Sequence, residues 1–182
     1  MPMLTTEQSV LVIIDVQGKL AQVMQQSAEL HKQLGILIQG AQLFDIPILW
    51  VEQLPDKLGG TTAELAELLS RTTQAIPKSF FSAWQSPDFQ QQLARLNRSN
   101  IILAGIETHV CVYQTCQDLL ANRYKVHLVA DAVSSRTCEN KQLGIQMMTQ
   151  LGAKITNTES CLFELQHQAC GERFKSLLTL IK

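Results

Sequence analysis

The sequence predicts an α/β domain built around a doubly wound, parallel β-sheet. Short runs of aliphatic and β-branched residues alternate with longer segments of helical periodicity. The short runs are apolar nearly throughout, which is typical of parallel strands covered by helices on both faces. No linker, low-complexity tract or internal repeat interrupts this pattern, so we expect one three-layer α/β/α domain over residues 1–182.

Six strands and six helices are predicted in alternation. The strands are expected at about residues 10–15, 47–51, 75–78, 100–104, 126–130 and 154–156. The helices are expected at residues 19–44, 61–71, 87–96, 110–123, 139–151 and 170–182. The pairs Thr61-Thr62 and Ser86-Pro87 have residue types that favour helix starts.

The composition favours a small molecule as the partner. Lys and Arg (15) nearly match Asp and Glu (16) and are scattered, so the basic stripe that nucleic acid or an anionic membrane requires is missing. The apolar runs fall short of the roughly 20 residues that span a bilayer. Residues 1–7 lack the features of a secretion signal, and five cysteines without a CxxC pair indicate reduced thiols rather than disulfides or a zinc site. We therefore expect a cytoplasmic protein.

Three reactive side chains lie at the C-terminal ends of predicted strands: Asp15, Lys78 and Cys111. Each has a structural explanation by itself, as a helix N-cap, a solvated lysine and a small buried residue respectively. In a doubly wound sheet, however, ligands bind beyond the carboxyl ends of the strands. Together the three residues predict a site with Cys111 as nucleophile, Asp15 as general acid and base, and Lys78 as the cation that keeps Asp15 ionised.

We expect the Cys111 thiol to be activated as a thiolate. The residue is predicted to open a helix, where unpaired N–H groups and the helix dipole stabilise negative charge. Lys78 would add a second source of positive charge.

These residues carry a resemblance to a known family. The segments Ile14-Asp15-Val16-Gln17, Pro77-Lys78 and Gly105-Ile106-Glu107-Thr108-His109-Val110-Cys111-Val112 resemble the isochorismatase-like cysteine hydrolases. The stretch Val129-Ala130-Asp131-Ala132-Val133-Ser134-Ser135-Arg136 also resembles that family, in its uncharacterised branch of isochorismatase-domain-containing proteins. The resemblance covers nearly the whole chain.

The resemblance implies a Rossmann-like fold with strand order 3-2-1-4-5-6 and a triad of Asp15, Lys78 and Cys111. It also implies a cis peptide bond between Ile106 and Glu107, and an oxyanion hole formed by the N–H groups of Glu107 and Cys111. The implied reaction is hydrolysis of the C–N bond of a small amide through a thioester on the cysteine. A homo-oligomer is implied as well.

One departure from the family concerns a metal-binding element. The nicotinamidase branch binds a metal through an Asp-x-His element after the second strand, where this chain has Trp50-Val51-Glu52-Gln53-Leu54. None of the histidines, at positions 31, 109, 127 and 167, falls there. We therefore predict no catalytic metal and no other cofactor, and the substitution argues against nicotinamide as the substrate.

Six residues are candidates for the substrate pocket: Gln17, Phe80, Phe81, Trp84, His109 and Thr115. The three aromatic residues suit a planar or apolar acyl group, although core packing or a subunit interface would use them equally well. His109 is two residues from the nucleophile, so it is either the base of a Cys–His pair or a residue of the turn or an interface.

Two further functions stay open at this point. One is a binding or redox-sensing protein that keeps the pocket without turnover, with Cys111 as an oxidisable thiol. The other is thiol-independent hydrolysis of a vinyl ether, in which Asp15 acts as an acid.

Overall fold

The computed structural model describes residues 4–182 and contains a six-stranded, all-parallel sheet flanked by helices. Its strand order, β3-β2-β1-β4-β5-β6, confirms the predicted doubly wound α/β fold. The strands are β1 (Ser9–Ile14), β2 (Ile48–Gln53), β3 (Ala75–Lys78), β4 (Asn100–Ile106), β5 (Lys125–Ser134) and β6 (Lys154–Thr156). Each predicted strand overlaps an observed one.

Helices cover both faces of the sheet. They are α1 (Gly18–Gln22), α2 (Ser27–Leu43), α3 (Pro55–Leu58), α4 (Ala63–Leu69), α5 (Pro87–Leu96), α6 (Tyr113–Ala121), α7 (Cys138–Gln150), α8 (Thr158–Gln166) and α9 (Glu172–Ile181). Short 3₁₀ turns lie at Thr6–Gln8 and Ala83–Gln85, and a π-type turn lies at Thr108–Val112. No helix within residues 4–182 has the length and apolarity needed to cross a membrane.

The core consists of two apolar layers, one on each side of the sheet. In β1, Leu11 and Ile13 pack into one layer, whereas Val10, Val12 and Ile14 pack into the other. All five side chains are fully buried. Burial on both faces explains why the strand is apolar without alternation.

The sheet reverses its strand order between β1 and β4. The chain proceeds outward from β1 to β2 and β3, then returns to place β4 on the other side of β1. The loops that follow β1 and β4 therefore diverge and leave a cleft at the carboxyl ends of these strands. Asp15 follows β1 directly, and Cys111 lies in the turn that follows β4.

The helices differ from the sequence prediction in three places. The segment predicted as one helix over residues 19–44 is divided into α1 and α2, because the N–H of Gln25 donates a 2.9 Å hydrogen bond to the carbonyl oxygen of Ser135, just after β5, instead of continuing the helix. Helices α3 and α8 were not predicted. The N-cap of α8 is Asn157, whose side chain accepts a hydrogen bond from the N–H of Ser160.

Gly105 allows β1 and β4 to approach each other closely. Its φ is +121°, and a Cβ atom there would lie 2.1 Å from the carbonyl oxygen and 2.6 Å from the nitrogen of Ile14. Both clashes are with backbone atoms of a central strand, so no side-chain movement can relieve them.

We predict that Gly105→Ala destabilises the protein by more than about 3 kcal/mol, because it adds steric overlap to an unfavourable backbone angle. The matched control is Gly35→Ala in α2, where the new methyl group would lie 3.8 Å from Leu68. The control should leave stability unchanged or raise it by about 0.5–1 kcal/mol, since alanine favours a helix. Urea unfolding measures both, and equal stability of the two variants would contradict the prediction.

Candidate active site

Asp15 lies in the cleft with its carboxylate buried. The residue has a left-handed backbone (φ 52°) and is 4% exposed. Helix α1 begins at Gly18 with Gln17 as its N-cap residue, so capping that helix does not explain Asp15. The Oδ2 atom accepts a 2.7 Å hydrogen bond from the ammonium group of Lys78. The Oδ1 atom has no hydrogen-bond partner within residues 4–182.

Lys78 is buried rather than solvated, since its side chain is 0% exposed. Its ammonium group donates three hydrogen bonds, to Asp15 Oδ2 (2.7 Å), to the side-chain oxygen of Gln53, and to the carbonyl oxygen of Phe80 (3.0 Å). These acceptors use all three N–H bonds of the ammonium group. The buried charge is therefore paired with one carboxylate and fully hydrogen-bonded.

Cys111 lies in the π-type turn between β4 and α6. The carbonyl oxygen of Glu107 accepts hydrogen bonds from the N–H groups of Val110 (3.1 Å) and Val112 (3.2 Å), which sets the turn. Helix α7 packs directly against the turn at Gly144, where a Cβ would lie 2.8 Å from the backbone of Thr108. Cys111 is thus held in the tight turn that precedes α6, and not in the first turn of a regular helix as predicted.

The Cys111 thiol is less acidic than the sequence predicts. Burial raises the pKa of Cys111 to about 12, and the charge of the nearby Asp15 carboxylate adds to this rise. Lys78 lowers the pKa but does not offset these two effects. The resting group at neutral pH is therefore a thiol and not the thiolate that the helix position suggested. Cys111 is only 8% exposed, and this desolvation was not visible in the sequence.

The pKa of the Asp15 carboxyl group is raised as well. Burial raises the pKa of the carboxyl group above its usual value, while the charge and hydrogen bond of Lys78 oppose that rise. A carboxylate with a raised pKa is a stronger base than an ordinary one. A thiol of raised pKa therefore lies next to a carboxyl group that is a stronger base than an ordinary one.

A cavity of about 600 Å³ opens onto this pair. Its wall combines Asp15 and Cys111 with five apolar side chains, five polar or charged ones and two glycines. The lining residues are Asp15, Gln17, Gly18, Lys19, Leu20, Gln53, Lys57, Leu58, Gly59, Phe81, Ile106, Glu107, Val110 and Cys111. The volume fits a small molecule.

Gln17 fixes one wall of the cavity. Its side-chain oxygen accepts a 2.6 Å bond from the N–H of Gln53, and its side-chain nitrogen donates to the carbonyl oxygens of Gln53 (3.0 Å) and Gly59 (2.6 Å). The residue is 1% exposed. Gln17 therefore lines the cavity but uses its polar atoms to join the loop after α3 to the end of β2.

Glu107 also lines the cavity. The peptide bond between Ile106 and Glu107 is cis. The Glu107 carboxylate accepts a 3.0 Å bond from the backbone N–H of Arg136 and 3.2 Å bonds from its guanidinium group. The charge of the Glu107 carboxylate is also one of the smaller causes of the raised pKa of the Cys111 thiol.

Four of the six pocket candidates lie outside the cavity, whereas Gln17 and Phe81 line it. Phe80 lines a neighbouring cavity. Trp84 packs edge-on against Tyr124, with ring centroids 5.7 Å apart. The His109 ring bonds to the Ser135 hydroxyl at 3.0 Å, and the buried Thr115 hydroxyl accepts a 2.9 Å bond from the N–H of Ala83. His109 lies in the π-type turn and Thr115 in α6, and the sequence spacing does not show how these two elements pack.

Sequence reasoning missed three contributors: Gln53, Arg136 and the wall made by Leu58 and Gly59. Gln53 ends β2 at the same edge of the sheet as Asp15 and Lys78, so its position was a usable signal. Arg136 lies in a motif of the resemblance but had no assigned partner. Within residues 4–182, no group of three or more His, Cys, Asp or Glu side chains is arranged to hold a metal ion.

Comparison with known proteins places the chain in a family. Residues 9–160 match the model of the isochorismatase domain. The secreted isochorismatase effector Isc1 of Phytophthora sojae is 36% identical over 96% of this chain and 84% of its own length. The structure of the MAR1 ribonuclease of Caenorhabditis elegans is 34% identical, with a TM-score of 0.92 over 99% of this chain and 92% of that one.

A more distant structure shares the fold alone. The YcaC gene product of Escherichia coli, an octameric hydrolase of unknown specificity, is 18% identical, with a TM-score of 0.92 over 99% of this chain and 91% of that one. The domain match, the relatives and the strand order together show that this chain is a member of the isochorismatase family.

Proposed function

We propose that this protein is a cysteine-dependent hydrolase that cleaves the C–N bond of a small amide. The observation that carries the proposal is the meeting of three side chains at the cleft. A buried thiol lies beside a carboxylate of raised pKa, and Lys78 holds that carboxylate by a 2.7 Å bond. A pocket that only binds a ligand has no need of a nucleophile together with its proton acceptor.

The reaction proceeds in two halves. As the Cys111 sulfur attacks the amide carbon, Asp15 accepts the thiol proton and then gives it to the departing amine, which leaves the acyl group on sulfur as a thioester. Asp15 next removes a proton from water, the resulting hydroxide attacks the thioester, and sulfur recovers the proton. One amide and one water give one carboxylic acid and one amine. A carboxyl group with a raised pKa, such as Asp15, is suited both to accept the thiol proton and to give a proton to the departing amine.

An oxyanion hole completes the proposal. The N–H groups of Glu107 and Cys111 would stabilise the negative charge that develops on the amide oxygen, and losing one such donor typically costs about 3–4 kcal/mol of transition-state stabilisation. Both residues line the cavity. No metal and no cofactor takes part in these steps.

The cellular compartment and the oligomeric state of the enzyme are also proposals. Unpaired cysteines at all five positions fit a reducing compartment, so we propose the cytoplasm. We also propose a homo-oligomer, because Phe80 and Phe81 are 54% and 57% exposed and are costly to leave in water, and because the E. coli fold relative is octameric.

A second candidate function is hydrolysis of RNA, since the MAR1 relative from C. elegans is named a ribonuclease. The net charge of −1 and the scattered lysines and arginines argue against it. An assay with single-stranded RNA, run beside the amides, tests this candidate directly.

We predict that Cys111→Ala abolishes turnover of any amide substrate, and that Asp15→Asn lowers kcat at least about 100-fold by removing proton transfer. A panel of small primary amides, assayed by ammonia release, provides the measurement, with Cys138→Ala as the control because Cys138 is exposed. If Cys111→Ala keeps near-normal turnover, the thioester step is wrong and thiol-independent chemistry, such as vinyl-ether hydrolysis, takes its place. If the wild-type protein turns over no member of a broad panel, a binding or redox role is favoured.

We also predict that Asp15→Asn makes Cys111 easier to alkylate while turnover is lost. The Asp15 carboxylate raises the pKa of the thiol, so its removal lowers that pKa and increases the thiolate fraction at a given pH. Iodoacetamide labelling between about pH 7 and 9, followed by peptide mass spectrometry, measures the rate at Cys111, with Cys138 as an internal reference. Slower labelling in the variant would contradict the assigned electrostatics.

A further inference from the structure

Glu52 is a buried carboxylate that the proposed reaction does not use. It is 8% exposed and lies near the end of β2. Its Oε1 atom accepts a 2.7 Å hydrogen bond from the N–H of Thr61 and a 2.8 Å bond from the Thr61 hydroxyl. It forms no ion pair with any group in residues 4–182. The charge of Glu52 is thus hydrogen-bonded but not compensated by a cation.

The bonds to Thr61 hold the loop that forms one wall of the cavity. This loop, residues 54–62, connects β2 to α4 and includes α3, and three of its residues line the cavity. The Thr61 hydroxyl also accepts a 2.7 Å bond from the indole N–H of Trp50. Two neighbouring side chains of β2, Trp50 and Glu52, therefore fix the end of the loop.

Glu52 also lies beside Asp15. Ile14 of β1 pairs with Val51 of β2, and the N–H of Asp15 donates a 3.1 Å bond to the carbonyl oxygen of Val51. The next residues of the two chains, Asp15 and Glu52, are therefore neighbours at the carboxyl end of the sheet. Neither the Glu52 side chain nor its backbone lines the cavity itself.

The charged and titratable groups around Asp15 come from several elements. Burial is the largest cause of the raised pKa of Asp15, Lys78 at the end of β3 lowers that pKa, and the charge of Glu52 raises it. A hydrogen bond with the Cys111 thiol is a further, lowering cause. The other charged residues of the cavity are Lys19 of α1 and Lys57 of α3, which are exposed, and Glu107, which is paired with Arg136.

A glutamine at position 52 would accept the same two hydrogen bonds at a lower cost. Removing a carboxylate from water without a cation partner is unfavourable, and a neutral amide avoids that cost. The carboxylate therefore has a use that hydrogen bonding to Thr61 does not supply. The group within its reach that a negative charge strengthens is the base, Asp15.

We propose that Glu52 is a positioning residue for the hydrolysis: its carboxylate holds the loop of residues 54–62 at the cavity and places a second negative charge beside Asp15. This inference rests on the proposed function and adds one residue to it. Glu52 acts through the loop and through Asp15, and takes no part in bond breaking.

The effect of the charge is tested by titrating Asp15 directly. The ¹³C chemical shift of its carboxyl carbon gives the titration midpoint, and Asp15→Asn assigns the signal. Glu52→Gln keeps an acceptor for Thr61 and removes the charge, so the midpoint should move to lower pH by roughly half a pH unit or more. Asp56→Asn is the matched control, because it removes an exposed carboxylate from the same loop and should leave the midpoint in place.

An unmoved midpoint in Glu52→Gln, or an equal shift in Asp56→Asn, would overturn the inference. Loss of the folded state in Glu52→Gln would overturn it as well, because the charge would then serve stability rather than the base.

Glu52→Asp separates the charge from the contact. It keeps the charge, but its shorter side chain loses the bonds to Thr61. The Asp15 midpoint should move less than in Glu52→Gln, whereas the amide hydrogen of Thr61 should exchange with solvent roughly fivefold faster or more. Hydrogen exchange followed by NMR measures this rate. Unchanged exchange at Thr61 would overturn the role of Glu52 in holding the loop.

Turnover separates this inference from the proposed function. Asp15 must be ionised to accept the thiol proton, so kcat/KM for an amide should rise with pH through its pKa, and this rise should lie at lower pH in Glu52→Gln. An amide hydrolysed with the rise unmoved would overturn the role of Glu52 and support amide hydrolysis. A shifted Asp15 midpoint without turnover of any amide in the panel would overturn amide hydrolysis, while the effect of Glu52 on Asp15 would stand.

Discussion

The buried ion pair between Lys78 and Asp15 is the interaction on which the site depends. Removing an ammonium and a carboxylate group from water costs several kcal/mol per ion, and only close pairing with full hydrogen bonding repays it. The 2.7 Å bond between the two groups, together with the Gln53 side chain and the Phe80 carbonyl group, meets that condition. The ends of β1, β2 and β3 are thereby joined by polar contacts in an otherwise apolar region.

This pair also affects the pKa of the Cys111 thiol, in addition to burial, which is the largest cause of its rise. Lys78 opposes the effect of burial and so favours the charged form of Asp15, and that charge in turn raises the pKa of Cys111. Under the proposed mechanism, the thiol stays protonated until a substrate binds and its proton passes to Asp15. A resting thiol is less reactive toward oxidants and alkylating agents than a thiolate, so this arrangement limits unproductive reactions.

The sequence was sufficient to locate the candidate site, because strand ends in a doubly wound sheet converge. The positions of Asp15, Lys78 and Cys111 followed from the ends of three apolar runs. The sign of the thiol pKa shift did not follow, because it depends on how deeply the π-type turn is buried. The break between α1 and α2 was also hidden, since it depends on the contact between Gln25 and Ser135, which are distant in the sequence. Helix α8 had a readable signal in the Asn157 cap.

We expect Cys111 to rest as a neutral thiol beside the Asp15 carboxyl group. The most direct test is the ultraviolet absorbance of the thiolate, recorded as the difference between the wild-type protein and Cys111→Ala while the pH rises from about 6 to 11. With a pKa of about 12, Cys111 should contribute no thiolate absorbance at neutral pH and only a small fraction at the top of this range. A full thiolate signal at or below about pH 7 would contradict the account and restore a preformed thiolate as the nucleophile.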